Sequence, residues 1–414
     1  MTSVETAPPA ESDQTEHPRR RRRKLYAGAA GLVLLVVAGI VAWRLVPDSS
    51  PRESPSPPVP SSAPTPLTPS TAPPVIRAGT GIWIGAEEIA GLPTSGPAWE
   101  SLLSRAEGPL GSADVADANS VHDTATLATA FAAARTGRTD LRAKAEAALV
   151  SAIGTEDGGN WLAVGRNLGA YAIAADVLDL RADGDPASEG SRVQTWLARF
   201  LTRTLEHNNE GTQIRLHDTA WNSGSNASAQ EGFAHAAVAA YLGNASELAW
   251  AWDGFRRYAG DRSSPHHLTS NDSSWQLRPD DPVGIQDAGA TKKDCRLDGA
   301  IANDMSRGGS FRCDPKYTQY PWVGLEGAVP AAVVLSRNGF PAFDVADKAI
   351  KRSLDYLWNV RTVTGKDKWF DGERAAEVVH LVNEAYGTDF PVSRPTGEGR
   401  TVGWTDWTHP IETR

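Results

Sequence analysis

Ten times between positions 97 and 386, apolar side chains return at three- and four-residue spacing, the period of one face of an α-helix. The stretches are 97–106, 122–136, 140–153, 161–180 and 191–206, then 227–242, 246–258, 320–337, 343–360 and 373–386. A short entry segment, Gly81-Ile82-Trp83-Ile84, precedes them, and from there the pattern stays helical. In 161–180 the residues Trp161, Leu162, Val164, Leu168, Tyr171, Ala175 and Leu178 make a stripe wide enough for a mostly buried helix. Gly243-Asn244 and Asn338-Gly339 are stop signals, and Pro330 within 320–337 predicts a kink. Helices of about 15 residues joined by short turns imply antiparallel helix hairpins. Their alanine content lets backbones approach closely, so many hairpins can close into a ring, and an all-α domain is expected. The segment between Tyr258 and Met305 is long, polar and rich in Gly and Asp, and is expected to border a cleft.

The first 80 residues obey other rules. A basic run, Arg19 to Lys24, stands directly before Leu25 to Trp43, which contains no charged residue. About 19 residues at ~1.5 Å rise come close to spanning a hydrocarbon core of ~30 Å. Residues 1–24 are therefore expected to be a cytoplasmic tail and 25–46 a transmembrane signal-anchor helix, with Tyr26 and Trp43 at the interfaces and Arg44 snorkelling outward. A cleaved signal peptide is the rival reading. The apolar run exceeds the usual core of ~7–15 residues and no clear small-x-small site follows, which favours an uncleaved anchor. Residues 47–79 are Pro, Ser and Thr with few large apolar side chains, a disordered linker that reaches on the order of 100 Å at ~3.1 Å per residue. Residues 80–414 then form one domain outside the cell, tethered to the membrane.

The net charge of −9 argues against a nucleic-acid partner, which calls for a clustered basic surface. Cys295 and Cys313 both lie on the exported side, where a disulfide is expected. No third thiol or flanking histidine gives a zinc spacing, and no phosphate-binding glycine loop or nucleophile elbow stands in a strand-helix context. Neither a metal nor a cofactor is expected, and nothing in the sequence sets the oligomeric state.

A set of short motifs carries more. Leu297-Asp298-Gly299 is followed by Met305-Ser306-Arg307-Gly308-Gly309 and then by Tyr317-Thr318-Gln319-Tyr320-Pro321-Trp322. Asn119-Ser120-Val121-His122-Asp123 opens a helix, Arg166-Asn167-Leu168 lies in the fourth, and Trp221-Asn222 leads to Asn226 before the sixth. Tyr386, Asp389-Phe390 and Gly403-Trp404-Thr405-Asp406-Trp407 close the series. In this order, over about 119–407, the motifs resemble the alginate lyase family (polysaccharide lyase family five and relatives). The resemblance implies an incomplete (α/α) toroid with a deep groove, an acidic, uronate-containing polysaccharide as target, and cleavage by β-elimination.

That chemistry needs the uronate carboxylate neutralised, a base for the adjacent proton, and an acid for the departing glycosidic oxygen. By the resemblance, Arg307 would bind the carboxylate bidentately, against the plain alternative of a surface ion pair. Tyr317 aligns with the catalytic tyrosine, with Tyr320 beside it. Three extra residues after Arg307 leave open which of the two faces the groove, and core filling is the alternative for both. Asn226, or failing that Asn222, matches the asparagine that helps neutralise the carboxylate, a helix N-cap being the other reading. Ala227 stands where the family has a histidine base. His122 beside Asp123, His217 beside Asp218, or His235 could substitute, a tyrosine could serve as both base and acid, or the domain could bind without catalysis. Arg166 and Asn167 are further candidates for substrate binding. Of the 14 tryptophans, Trp221 and Trp322 are the two expected to stack on sugar rings, burial being the default for the rest. A glycoside hydrolase would instead need two carboxylates about 5–9 Å apart, for which Glu231, Asp218, Asp298 and Glu326 are available, although they would repel an anionic substrate.

Overall fold

A computed structural model describes residues 81–158, 161–207, 212–270 and 272–411. The basic tail, the apolar segment 25–46 and the linker 47–79 lie outside the described residues. Among those described, no helix is long and apolar enough to cross a membrane.

The described residues are mostly helical, with two small antiparallel hairpins, in keeping with an all-α domain. Helices α1 (Ala86–Gly91), α2 (Pro97–Glu107), α3 (His122–Thr136), α4 (Thr139–Ala152), α5 (Trp161–Val177) and α6 (Glu189–Arg199) come first. The hairpin of β1 (Thr204–His207) and β2 (Thr212–Arg215) leads into α7 (Leu216–Thr219), α8 (Asn226–Tyr241) and α9 (Ala245–Tyr258). A second hairpin, β3 (Thr291–Lys292) with β4 (Cys295–Arg296), precedes α10 (Ala302–Ser306) and α11 (Tyr320–Arg337). Helices α12 (Val345–Thr364), α13 (Ala376–Tyr386) and α14 (Thr405–Thr408) complete the chain. Periodicity placed the longer helices to within a few residues. The expected helix over 191–206 is an exception: it ends at Arg199, and Thr204 to His207 pair in β1, with Leu205 opposite Ile214. A strand partner nine residues ahead outweighs a local helical pattern.

Burial sorts the helices into two kinds. Nearly every residue of α5, α8 and α11 is buried, which requires neighbours on all sides, whereas α6 and α9 bury one face. The packing order is α2 on α3, α3 on α5, α5 on α8, α8 on α11 and α11 on α13, with α4 against α3 and α9 against α8. Close approach demands glycine at the crossings. A Cβ at Gly327 of α11 would stand 2.5 Å from the Ala229 carbonyl carbon of α8, well inside van der Waals contact.

The N-terminal ends of these inner helices lie together. Arg166, near the start of α5, donates from Nε to Gln230 Oε1 of α8 and from Nη1 to the Ala118 carbonyl ahead of α3. Gln230 in turn donates to the Val323 carbonyl in the first turn of α11. The C-terminal segment straps α13 back to the first helices. Thr405 Oγ1 donates to the Glu377 carbonyl, Trp404 Nε1 to Ser101 Oγ of α2, and Thr124 Oγ1 of α3 to Glu398 Oε1. Pro330 sits inside α11, which continues through it. Having no N–H, it leaves the Glu326 carbonyl without its helical donor, and the Thr401 hydroxyl supplies one at 2.7 Å. The proline thereby gives the strap a docking point.

Candidate functional site

At the end where the helix N-termini gather, a cavity of about 380 Å³ opens between residues 118–121, Glu326 of α11, the start of α13 and the strap. Glu326 and Glu377 face it from two helices. Burial, and then repulsion from Glu326, pushes the Glu377 carboxyl up to about 8, although the backbone N–H of Arg400 donates to it. Burial also raises Glu326, opposed by the guanidiniums of Arg400, Arg166 and Arg374. Glu326 Oε2 is buried without a hydrogen-bond partner among the described residues, and Arg400 Nε stands 3.7 Å from it. Gly399 is required here, because a Cβ would lie 2.9 Å from the Glu377 side chain and closer still to the Val402 carbonyl. Glu373 and Glu398 complete the acidic rim, the latter bonded to Arg105 at 2.9 Å.

Next to Arg166 lies a second group of side chains. Arg307, at the end of α10, is exposed, and its guanidinium carbon is 5.0 Å from the centroid of the Tyr320 ring. Tyr320, the first residue of α11, is 36 % exposed and close enough to Arg166 to interact with it electrostatically. Behind Arg307 is Asp304, wholly buried and pushed up to about 7 by burial, with the Arg307 charge drawing it back down. Its Oδ1 accepts from the Asn226 side-chain amide at 2.9 Å and from the Asn226 backbone N–H at 3.0 Å. Asn226 is thus not the cap of α8. Ser225 is the cap, and Asn226 is held by Asp304. The loop after Arg307 is pinned by the Cys295–Cys313 disulfide, with Cα atoms 5.6 Å apart, and by Trp275 Nε1 donating to the Gly309 carbonyl.

No protein-family model, curated protein or solved structure matches this chain. What the site can do therefore rests on its own side chains.

Of the residues singled out by sequence, Asn226, Arg307, Tyr320 and Arg166 come together, while the others take separate places. Tyr317 packs edge-on against Trp369 at 5.2 Å, with Lys368 Nζ 4.6 Å from its ring centroid. Arg307, Tyr317 and Tyr320 are not among the described residues lining the 380 Å³ cavity. His122 is buried, its Nδ1 2.8 Å from the Tyr171 hydroxyl, and burial followed by the Arg105 charge lowers its pKa. His217 stacks on Trp250 at 3.9 Å, and Asp218, expected to orient it, bonds Arg215 instead. His235 is buried and paired with Glu247 at 2.8 Å. Asn167 donates to the carbonyls of Val115 and Asp117, holding the segment ahead of α3. Asn222 is exposed and donates to the Asp218 carbonyl. Trp221 and Trp322 are 0 % and 1 % exposed, so neither indole offers a face to a sugar. Trp221 fills the space over Gly232 and Gly254, and Trp322 donates to the Trp369 carbonyl. Asp298 is tied to Arg352 at 2.6 Å, and Glu231 is buried against Gly165 of α5.

Sequence reasoning missed Glu377, Arg400 and Asp304. For Glu377 the available signal was a carboxylate inside an apolar stretch, Ala375-Ala376-Glu377-Val378-Val379, whereas Asp304, flanked by Asn303, and Arg400 carried none. Among the described residues no cluster of three histidine, cysteine or acidic side chains has the geometry to hold a metal.

Proposed function

We propose that this protein is a membrane-anchored polysaccharide lyase, cleaving a uronate-containing acidic polysaccharide by β-elimination on an incomplete (α/α) toroid held outside the cell. The observation that carries this reading is the Arg307 guanidinium over the Tyr320 ring, with Asn226 fastened behind it by Asp304. The succession α3, α5, α8, α11 and α13, with partner helices outside it, supports the toroid. In this reading Arg307 and the second side-chain N–H of Asn226 neutralise the sugar carboxylate, which makes the adjacent C–H acidic. The abstracted proton and the leaving oxygen sit on neighbouring carbons, so one tyrosine, entering as phenolate, can take the proton from carbon and hand it, as phenol, to the departing oxygen. Tyr320 takes that role rather than Tyr317, because it touches Arg307 and is open to solvent. No imidazole stands at position 227, and none of His122, His217 or His235 touches this group.

A second reading, glycoside hydrolysis, is favoured by one observation, the two carboxylates of Glu326 and Glu377 sharing a cavity. One assay separates the two. Full-length protein is incubated with a panel of uronate polymers while the ultraviolet absorbance of the unsaturated product and the release of reducing ends are followed together. Elimination raises both signals, and Tyr320→Phe and Arg307→Ala are expected to lower the rate by at least ~100-fold while Tyr317→Phe keeps it. Reducing ends without absorbance mean hydrolysis, and binding without either means a lectin-like role. Full activity in both Tyr320→Phe and Arg307→Ala refutes the assignment.

A further inference from the structure

The cavity between α11, α13 and the strap is acidic: Glu326, Glu373, Glu377 and Glu398 line it against one guanidinium, that of Arg400. Two of the four carboxylates are already satisfied. Glu398 is paired with Arg105 at 2.9 Å and takes the Thr124 hydroxyl, and Glu377, raised by burial and by Glu326, keeps its proton at neutral pH. The other two are not. Glu373 stands exposed at the rim with its charge open to solvent. Glu326 is 6 % exposed, and its Oε2 has no hydrogen-bond partner among the described residues, a costly state for a buried acceptor. Burial raises its carboxyl in spite of Arg400, Arg166 and Arg374, so the surrounding cations do not replace what water gave it. Arg400 Nε stops at 3.7 Å, beyond hydrogen-bond reach, with its side chain 46 % exposed.

We propose that this cavity holds an amino sugar with a free amine, its ammonium donating to Glu326 Oε2 while Glu373 adds its charge at the rim. A charged donor is what a buried, unpartnered carboxylate oxygen lacks. The occupant is an amine and not a metal ion, because among the described residues no three acidic or imidazole groups have ligand geometry, and the proton on Glu377 removes one ligand. The amine belongs to a sugar and not to a lysine, because about 380 Å³ is space for one pyranose with some water. Val121, 50 % exposed at the rim, gives the C–H face of that ring an apolar edge. Thr401 on the Glu326 carbonyl and Glu398 on Arg105 fix the strap, so the opening keeps its width. Arg400 competes for the same oxygen and, being half exposed, can turn out to solvent as the ammonium enters. The inference rests on the reading that a polysaccharide is the target, and adds that the polymer carries free amines beside its acid groups. Arg166 connects the two places, since it interacts electrostatically with both Tyr320 and Glu326.

Calorimetry on the full-length protein at pH 6, where a sugar amine is protonated, tests this with a glucosamine tetrasaccharide, its N-acetylated counterpart and trilysine. The glucosamine probe is expected to bind about tenfold more tightly than either of the others, the scale of one charge-assisted hydrogen bond. Glu326→Gln should abolish that preference, because the amide carries no charge. Arg400→Ala should tighten the glucosamine probe about threefold by removing the competing cation, and Glu373→Gln should weaken it about threefold, the scale of one exposed charge. Where Glu326→Gln fails to fold, the Arg400 and Glu373 variants carry the test, since both side chains reach solvent. Equal binding of the acetylated probe or of trilysine, no binding of any probe, or unchanged or weaker binding in Arg400→Ala overturns the amino-sugar site. Unsaturated product from a uronate polymer, with no preference for the amine, leaves the lyase reading standing and removes this site. A preference for the amine that Glu326→Gln abolishes, with no unsaturated product from any uronate polymer, does the reverse.

Discussion

The Thr401 hydroxyl and Pro330 make one device, and a double-mutant cycle can measure it. Thr401 is fully buried, and its Oγ1 donates at 2.7 Å to the carbonyl of Glu326, which Pro330 deprives of its intrahelical donor. Thr401→Val keeps the shape and removes only the hydroxyl. The buried carbonyl then has no donor, which costs about 1–3 kcal/mol, so a loss of ~2 kcal/mol is expected in urea unfolding, read as a lower midpoint at constant slope. Pro330→Ala restores an N–H four residues after Glu326, which can make the ordinary helical bond to the same carbonyl. In that background Thr401→Val should cost less than ~1 kcal/mol, giving a coupling of at least ~1 kcal/mol, within the range expected for partners that share one group. An equal cost of Thr401→Val in both backgrounds would refute the reasoning, because the carbonyl would then not be what the hydroxyl satisfies.

Two further predictions concern the same helices. Burial, and then repulsion from Glu326, pushes Glu377 from its ordinary 4.5 up to about 8, so the native state holds its proton more tightly than the unfolded chain does. Its stabilising contribution is complete below about 4.5 and is lost as pH rises through about 8; Glu231, also pushed up to about 8, and Asp304, to about 7, act with the same sign. Unfolding free energy should therefore fall between pH 5 and 8, and Glu377→Gln should flatten that slope; a slope unchanged in the variant would contradict the assignment. Gly327→Ala forces a methyl to within 2.5 Å of the α8 backbone and should cost about 1–3 kcal/mol, seen as a lower thermal midpoint. An unchanged midpoint would mean that α8 and α11 do not approach that closely.

Helix positions were legible because apolar spacing is a property of the chain's own geometry, and α3 and α11 begin and end where the pattern does. The pairing of Cys295 with Cys313 was likewise readable, since those are the only two thiols in the chain. What spacing along a helix cannot say is which neighbour arrives at a given face. Trp221 and Trp322 stood beside polar motifs and looked available to a sugar, yet glycines on α8 and α9 receive the first indole, and Trp369 accepts from the second. Tyr317 and Tyr320 are equivalent in sequence, and only the return of the loop after α10 puts Arg307 against one of them. Glu326 and Glu377 belong to helices far apart in the chain, and their mutual repulsion exists only because α11 and α13 meet. Local periodicity determined the helices of this protein. Their burial, their charge states and the cavity between them were decided by packing, because desolvation and Coulomb energies depend on distances through space, not along the chain.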